Sequence, residues 1–208
     1  MTKRKHSRWF AWFWSKAVAR ESAAEREARR QVTDGLSGRV LEIGVGLGTN
    51  WQHLPAGVEY VGIEPDHFML RRARANAAAA SREVDLREAA AEKLPFEDGA
   101  FDAVFTTLTF CSVDDVPQAL SEVRRVLKPG GEFRFWEHVR PAGRLSGRAF
   151  DVVTPLWSRL GAGCHPNRRT VEAIDATGMG VTSLRRFKKG PIPMVVGTAE
   201  TGTTRSGP

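Results

Sequence analysis

The chain has 208 residues, 41% hydrophobic and 26% charged, with only two cysteines, Cys111 and Cys164. That length suits one domain with a core of its own, and the composition excludes both a disordered chain and a disulfide-stapled one. The formal net charge is +7, but residues 1–39 hold ten Lys/Arg against four Asp/Glu, so six of those seven units lie at one end. A basic excess confined there, with no aromatic and basic residues interleaved through strands, argues against a nucleic-acid partner. No run approaches the ~20 apolar residues that span a bilayer. The N-terminus also lacks the aliphatic stretch and small-residue cleavage site of a secretion signal. Two unpaired cysteines suit a reducing cytoplasm, which is the expected location.

In chain order, the basic residues Lys3, Arg4, Lys5 and Arg8 precede Trp9, Phe10, Trp12, Phe13 and Trp14, five aromatics in six positions. The Ala-, Glu- and Arg-rich stretch from Ser15 to Gln31 reads as helix. The aromatic cluster has three readings: packing over the domain, a lid over a ligand, or contact with a membrane surface through residues 9–14. Val40, Leu41 and Ile43 form a short apolar strand, followed at once by Gly44, Gly46 and Gly48. Thr49 to Leu54 is a helical turn or two, Val58 to Ile63 a second strand, and Met69 to Ala80 a helix with Pro65 at its start. Val84 to Arg87 is a short third strand.

Phe101 to Thr107 is a central buried strand by its β-formers and near absence of charge. Val116, Leu120, Val123 and Leu127 recur at helical spacing behind Asp114 and Asp115. Lys128-Pro129-Gly130-Gly131 ends that helix, and a fifth strand runs from Glu132 to Val139. Leu145 to Leu160 is helical or irregular. Arg168 to Ala176 is a helix, and Val181 to Phe187 with Ile192 to Gly197 make an antiparallel hairpin at the sheet edge. Strands alternating with helices argue a mostly parallel sheet covered on both faces.

A strand running into glycines lets backbone approach a ligand closely, and Glu64 at the end of the next strand can accept hydrogen bonds from two ribose hydroxyls. The order G-x-G-x-G, with Glu64 only 16 residues past the last glycine, differs from the dinucleotide pattern G-x-G-x-x-G. No G-x-x-x-x-G-K-[ST] sequence exists. His6, His53, His67, His138 and His165 make no spaced metal cluster, and Cys164-His165 offers at most two ligands, so no metal is expected.

LEIGVGLGTN, VGIEP, AEKLPFEDGAFDAVFTTLTFCSV, ALSEVRRVLKPGGEFRFWEHV and GAGCH together resemble the class I S-adenosylmethionine-dependent methyltransferases, over about residues 36 to 197. LTFCSV, the EHV ending and the G-C-H segment are most similar to the thiol S-methyltransferases, within a group that also includes phospholipid N-methyltransferases and quinone C-methyltransferases. The resemblance implies a Rossmann-like three-layer α/β sandwich with a seven-stranded, mostly parallel sheet and a C-terminal antiparallel hairpin. It divides the chain into a helical N-terminal segment (1–37), the methyltransferase domain (38–198) and a flexible tail (199–208). It also implies S-adenosylmethionine as methyl donor, S-adenosylhomocysteine as product, and a small-molecule acceptor, with the protein a monomer or dimer.

By position, Glu42, Gly44, Gly46 and Gly48 match the motif that wraps the methionine end and ribose, with Thr49 and Asn50 near the methionine carboxylate. Glu64 matches the acid that holds the ribose, with Pro65 and Asp66 in its loop. Ala91 and Glu92 match the loop beside the adenine, and Thr107 and Leu108 the position facing the transferable methyl. Ala90 stands where the family usually has an Asp on the adenine amino group, a loss of one hydrogen bond worth about 0.5–1.5 kcal/mol.

Methyl transfer is an in-line displacement in a site closed to water and needs no metal. A thiol acceptor, with a pKa of about 8.5, needs only a modest push toward thiolate. The catalytic candidates are His138 and Glu137, adjacent at the end of a strand and so pointing to opposite faces, and then His165. Cys111 reads as a buried small hydrophobe, Cys164 as a residue lining the acceptor pocket and Asp151 as another pocket group. Ala149, Val152, Pro155, Leu156 and Trp157 suggest an apolar acceptor.

Overall fold

A computed structural model describes residues 22–202 apart from Arg82 and Ala162. The Trp9–Trp14 cluster and the last six residues lie outside the described residues. Of the helix expected over 15–31, the described part is α1, Ala23–Thr33. Ser22 caps it by a reciprocal box: its hydroxyl accepts from the Glu25 N–H and the Glu25 carboxylate accepts from the Ser22 N–H, satisfying two otherwise orphaned donors. Ala28 and Val32, one turn apart, pack against Trp136, Met194 and Val196. Lys189 closes on Glu25 at 2.6 Å, fastening α1 to the far edge of the sheet.

The sheet is built from β1 (Arg39–Ile43), β2 (Glu59–Ile63), β3 (Asp85–Arg87), β4 (Phe101–Thr107), β5 (Leu127–His138), β6 (Gly180–Lys189) and β7 (Ile192–Glu200). Its order is β3-β2-β1-β4-β5-β7-β6. The first five strands are parallel, β7 runs antiparallel between β5 and β6, and β6 is the edge, so only half of the expected hairpin lies at the rim. The order reverses between β1 and β4, and the space beyond the strand ends at such a reversal is where open α/β sheets bind ligands.

Helix α2 (His67–Ala79) starts at an Asp66 cap whose carboxylate accepts from Phe68 and Met69 N–H. Pro65 therefore precedes the cap instead of occupying the first turn. Helices α3 (Val116–Val126) and α5 (Thr170–Ala176) share the largest core with Phe101, Phe133, Phe135 and Val195. Helix α4 (Arg144–Leu160) is continuous despite Pro155. Helix α3 ends ahead of Lys128–Gly131 as expected, but β5 starts before those residues and bulges across them: Leu127 pairs with Phe101, Glu132 with Ala103, and the intervening residues loop out within one strand. Extra residues with a positive-φ glycine, Gly130, let the ladder resume instead of ending it.

Candidate functional site

Glu42, the last but one residue of β1, is fully buried. Its two oxygens accept from Asn50 Nδ2 at 2.6 Å and Tyr60 Oη at 2.5 Å. Burial pushes its carboxyl up to about 7 against the pull of those two donors. Asn50 is buried too, donating also to Thr107 Oγ1 at 3.1 Å, which ties the glycine loop to the end of β4. Parallel pairing of Ile43 with Thr106 is what sets these two strand ends side by side. Glu42 thus acts on the β4 end through Asn50.

The glycines turn the chain where a Cβ would be strained: Gly44, Gly46 and Gly48 have φ of +79°, +57° and +77°. At Gly44 and Gly48 an added Cβ would run into Thr109 and Trp51 at 2.4 Å; at Gly46 it would meet only Met69 Cε, at 3.8 Å. The loop is packed by its own fold at two glycines and open at the middle one. Beside that opening, Glu64 Oε2 accepts from Gly46 N at 2.9 Å and Oε1 from Asp66 N at 3.0 Å. These two backbone donors fix the buried carboxylate beside the open middle glycine.

Sequence reading missed Arg29. It lies in α1, 20 residues before Thr49, yet its buried guanidinium donates to Thr49 Oγ1 at 3.2 Å and to Asn50 Oδ1, and it stacks 5.3 Å over the ring of Trp136. A cation beside Thr49 and Asn50 is what an amino-acid carboxylate needs. The sequence signal was slight: an Arg on the face that also carries Ala28 and Val32.

Ala91 and Glu92 lie apart from this network. Ala91 is buried in the main core, and Glu92 Oε1 accepts from Asp114 and Asp115 N–H at 2.8 and 3.2 Å, holding the β4–α3 loop. Ala90 is exposed. Leu108 follows Thr107 with φ +56°, a conformation costly for a branched side chain and concentrated at functional sites. Its N–H donates to Trp136 O at 2.7 Å.

Beyond Leu108 the structure gathers the remaining candidates. Glu137 is fully buried, and its Oε1 accepts from Thr109 and Phe110 N–H, each at 3.0 Å. Burial raises its carboxyl above the ordinary range. Its neighbour His138 is half-buried, with Nδ1 3.6 Å from Cys164 Sγ. The adjacent Cys111 thiol and then His138 hold Cys164 below the usual thiol range, while that same contact, with burial, pushes Cys111 up. Cys111, expected as a small hydrophobe, is buried but belongs to this polar group. His165 N donates to Cys111 O at 2.6 Å and its Nδ1 lies 2.6 Å from Gly163 O, so it braces the loop and does not cap α5. Asp151 is not a pocket group: it pairs with Arg140 at 2.7 Å and accepts from Asn167 at the surface, which holds its carboxyl at about 2.

Helix α4, whose Trp157 touches Cys164, leaves Leu145, Val152, Val153, Leu156 and Trp157 exposed along its length, five of the six large apolar side chains in solvent among the described residues. A cleft of about 300 Å³ lies elsewhere, between α3 and α5, lined by Asp114, Pro117 and Arg168. Chemistry, not size, locates the site.

Three comparisons bear on this geometry. A family model described as a methyltransferase domain matches residues 41–135. The human thiol S-methyltransferase TMT1B is 36% identical over 147 residues, 68% of this chain and 60% of that protein, so the chain spans less than two thirds of its length. The Rattus norvegicus thiol S-methyltransferase TMT1B is 31% identical over 198 residues, 89% of this chain and 81% of that one. A solved S-adenosylmethionine-dependent methyltransferase from Mesorhizobium loti shares the fold, with a TM-score of 0.66 at 22% identity over 86% of this chain and 98% of that one.

Proposed function

Because the chain belongs to the class I S-adenosylmethionine-dependent methyltransferases, we propose that it methylates the sulfur of a lipophilic small thiol. The observation that carries this reading is the acceptor side: a half-buried His138–Cys164 pair beside an α4 face whose apolar side chains stand in solvent. A site for a charged or bulky polar acceptor would not be walled by Val152, Leu156 and Trp157.

When bound, S-adenosylmethionine supplies a methyl group on an electron-poor sulfonium sulfur. Glu64 would hold the ribose diol, and Arg29 with Thr49 and Asn50 the methionine carboxylate. Thr107 and Leu108 stand where the strand end faces the methyl group. The bond that Leu108 makes to Trp136 O holds that backbone in its strained form, so the acceptor meets a preformed wall. Glu137 is a positioning residue: it pins Thr109 and Phe110 and thereby the loop that carries Cys111. His138 orients the acceptor S–H and draws off its proton, a small task because a thiol ionises near pH 8.5. His165 supports the Cys164 loop. Peripheral contact with a lipid surface, through residues 9–14 and the exposed face of α4, would deliver an acceptor that partitions into membranes.

The test is a turnover screen of the full chain with alkyl thiols, quinols and phosphatidylethanolamine, following S-adenosylhomocysteine release. Thiols should give product, with rate rising as the alkyl chain lengthens. Product from a quinol or an amine headgroup, with none from thiols, would replace the thiol reading with one of the family's other acceptor chemistries.

A further inference from the structure

Three metal-ligating side chains meet on the acceptor side although at least 26 residues separate each from the next. Cys111 follows β4, His138 ends β5, and Cys164 lies between α4 and α5, yet their ligand atoms are all within 4.8 Å of one another. The Cys164 Sγ to His138 Nδ1 separation is 3.6 Å. Tetrahedral zinc, with Zn–S near 2.3 Å and Zn–N near 2.0–2.1 Å, sets sulfur and nitrogen roughly 3.6 Å apart, so that edge already has ligand length.

The backbone around the cluster is held firmly. His165 N and the Arg168 guanidinium donate to Cys111 O and Phe110 O at 2.6 and 2.9 Å, joining the two cysteine-bearing loops. Glu137 anchors the Cys111 loop from beneath at Thr109 and Phe110. Ligands held in place by hydrogen-bonded loops are what a metal site needs beyond the donor atoms themselves.

We propose that Cys111, His138 and Cys164 form a three-ligand site for a thiophilic divalent cation of the zinc type, whose fourth position takes the acceptor thiol as a thiolate. Thiolate and imidazole donors suit zinc, and three protein ligands with one open position mark a catalytic site, where four mark a structural one. Cys111 is buried while His138 and Cys164 are half-buried, so the opening lies on the side a substrate can reach. On binding, the acceptor S–H bond breaks, its proton goes to solvent and a sulfur–metal bond forms. In the transfer a sulfur lone pair forms the new carbon–sulfur bond, and the donor's methyl–sulfur pair stays with the donor sulfur. The neutral thioether product, a weaker ligand, is then released. This inference rests on the thiol reading above and refines it: His138 acts on the acceptor as a ligand through Nδ1 instead of as a base.

The experiment uses the full chain, reduced, stripped with a chelator and titrated with Co²⁺ and Zn²⁺ alone. One equivalent of Co²⁺ should bring up a thiolate-to-cobalt charge-transfer absorption that Zn²⁺ abolishes. Cys164→Ser and His138→Gln should each weaken Zn²⁺ binding by more than about 100-fold, beyond the loss expected for an outer partner, with unchanged circular dichroism. An alkyl thiol added without methyl donor should shift the cobalt bands. No charge-transfer absorption, or unchanged Zn²⁺ affinity in Cys164→Ser, overturns the site. Cobalt bands indifferent to thiol overturn the fourth-position assignment. A chain that binds metal but methylates only quinols or amines removes the thiol reading and leaves the metal site standing.

Discussion

At the β1–β2 edge, Glu42, Asn50 and Glu64 each take part in at least two hydrogen bonds inside the fold before any ligand arrives. At the end of β5 and along α4 the parts come from farther away: Cys111, His138 and Cys164 meet from three separate segments, and Leu145, Val152 and Leu156 stand in solvent. The first region is preorganised for one ligand by short links between neighbouring strands. The second is assembled from distant segments and keeps an apolar surface for something else to cover. A fold shared by enzymes with different acceptors needs this division, because the donor is constant and the acceptor is not.

The sharpest way to break the contrast is at Glu64. Glu64→Ala removes the acceptor for two ribose hydroxyls, at about 1.5–3 kcal/mol for each hydrogen bond to a charge, so S-adenosylhomocysteine affinity should fall by about 100-fold or more. Calorimetry should show this while the melting curve stays cooperative. An unchanged affinity would mean that the nucleoside does not lie on this edge.

The preorganised side should also reveal itself in its pH dependence. Burial raises the Glu42 carboxyl from an ordinary 4.5 to about 7, so the folded state binds a proton that the unfolded chain releases. Its contribution is whole below about pH 4.5 and is lost as pH climbs through 7, on the order of 3 kcal/mol. Denaturant unfolding from pH 5 to 8 should show wild type losing stability relative to Glu42→Gln, and parallel curves would refute the shift. Arg29→Ala comes next in size. It leaves the buried Asn50 Oδ1 without its donor, at about 1–3 kcal/mol of stability, and should weaken S-adenosylhomocysteine binding as well. If stability falls and affinity does not, Arg29 supports the loop without meeting the ligand.

The smallest stability effect belongs to the other region. Val152→Ser with Leu156→Ser alters exposed side chains, so stability should stay within about 0.5 kcal/mol of wild type. Turnover of long-chain thiols and sedimentation with liposomes should both drop. Equal turnover of short and long thiols in wild type and variant would strip α4 of any part in acceptor choice.

How much of this was legible differs by region for the same physical reason. The strand–glycine–acid pattern lies within 23 residues, Glu42 to Glu64, and each part has a local cause: positive φ for the glycines, a strand end for Glu64. Such features are written in neighbouring residues and can be read from them. The helix ends ahead of Lys128–Gly131 as expected, but the next strand already starts at Leu127, because Pro and Gly carry the same local signal whether or not a partner strand resumes pairing afterwards. For Glu92, motif position gave only its loop, and the fold adds that its carboxylate accepts from the Asp114 and Asp115 N–H groups.

The chain's order of apolar runs, glycines and caps was enough to determine a mostly parallel α/β sheet with a strand–glycine–acid edge. Only the tertiary structure decided that Arg29 crosses from α1 to Asn50, that Glu137 is sealed beneath a loop, and that Cys111, His138 and Cys164 share one place. Those facts depend on which segments the folded sheet brings together. Burial and long-range proximity have no period or spacing along the chain from which they could be read.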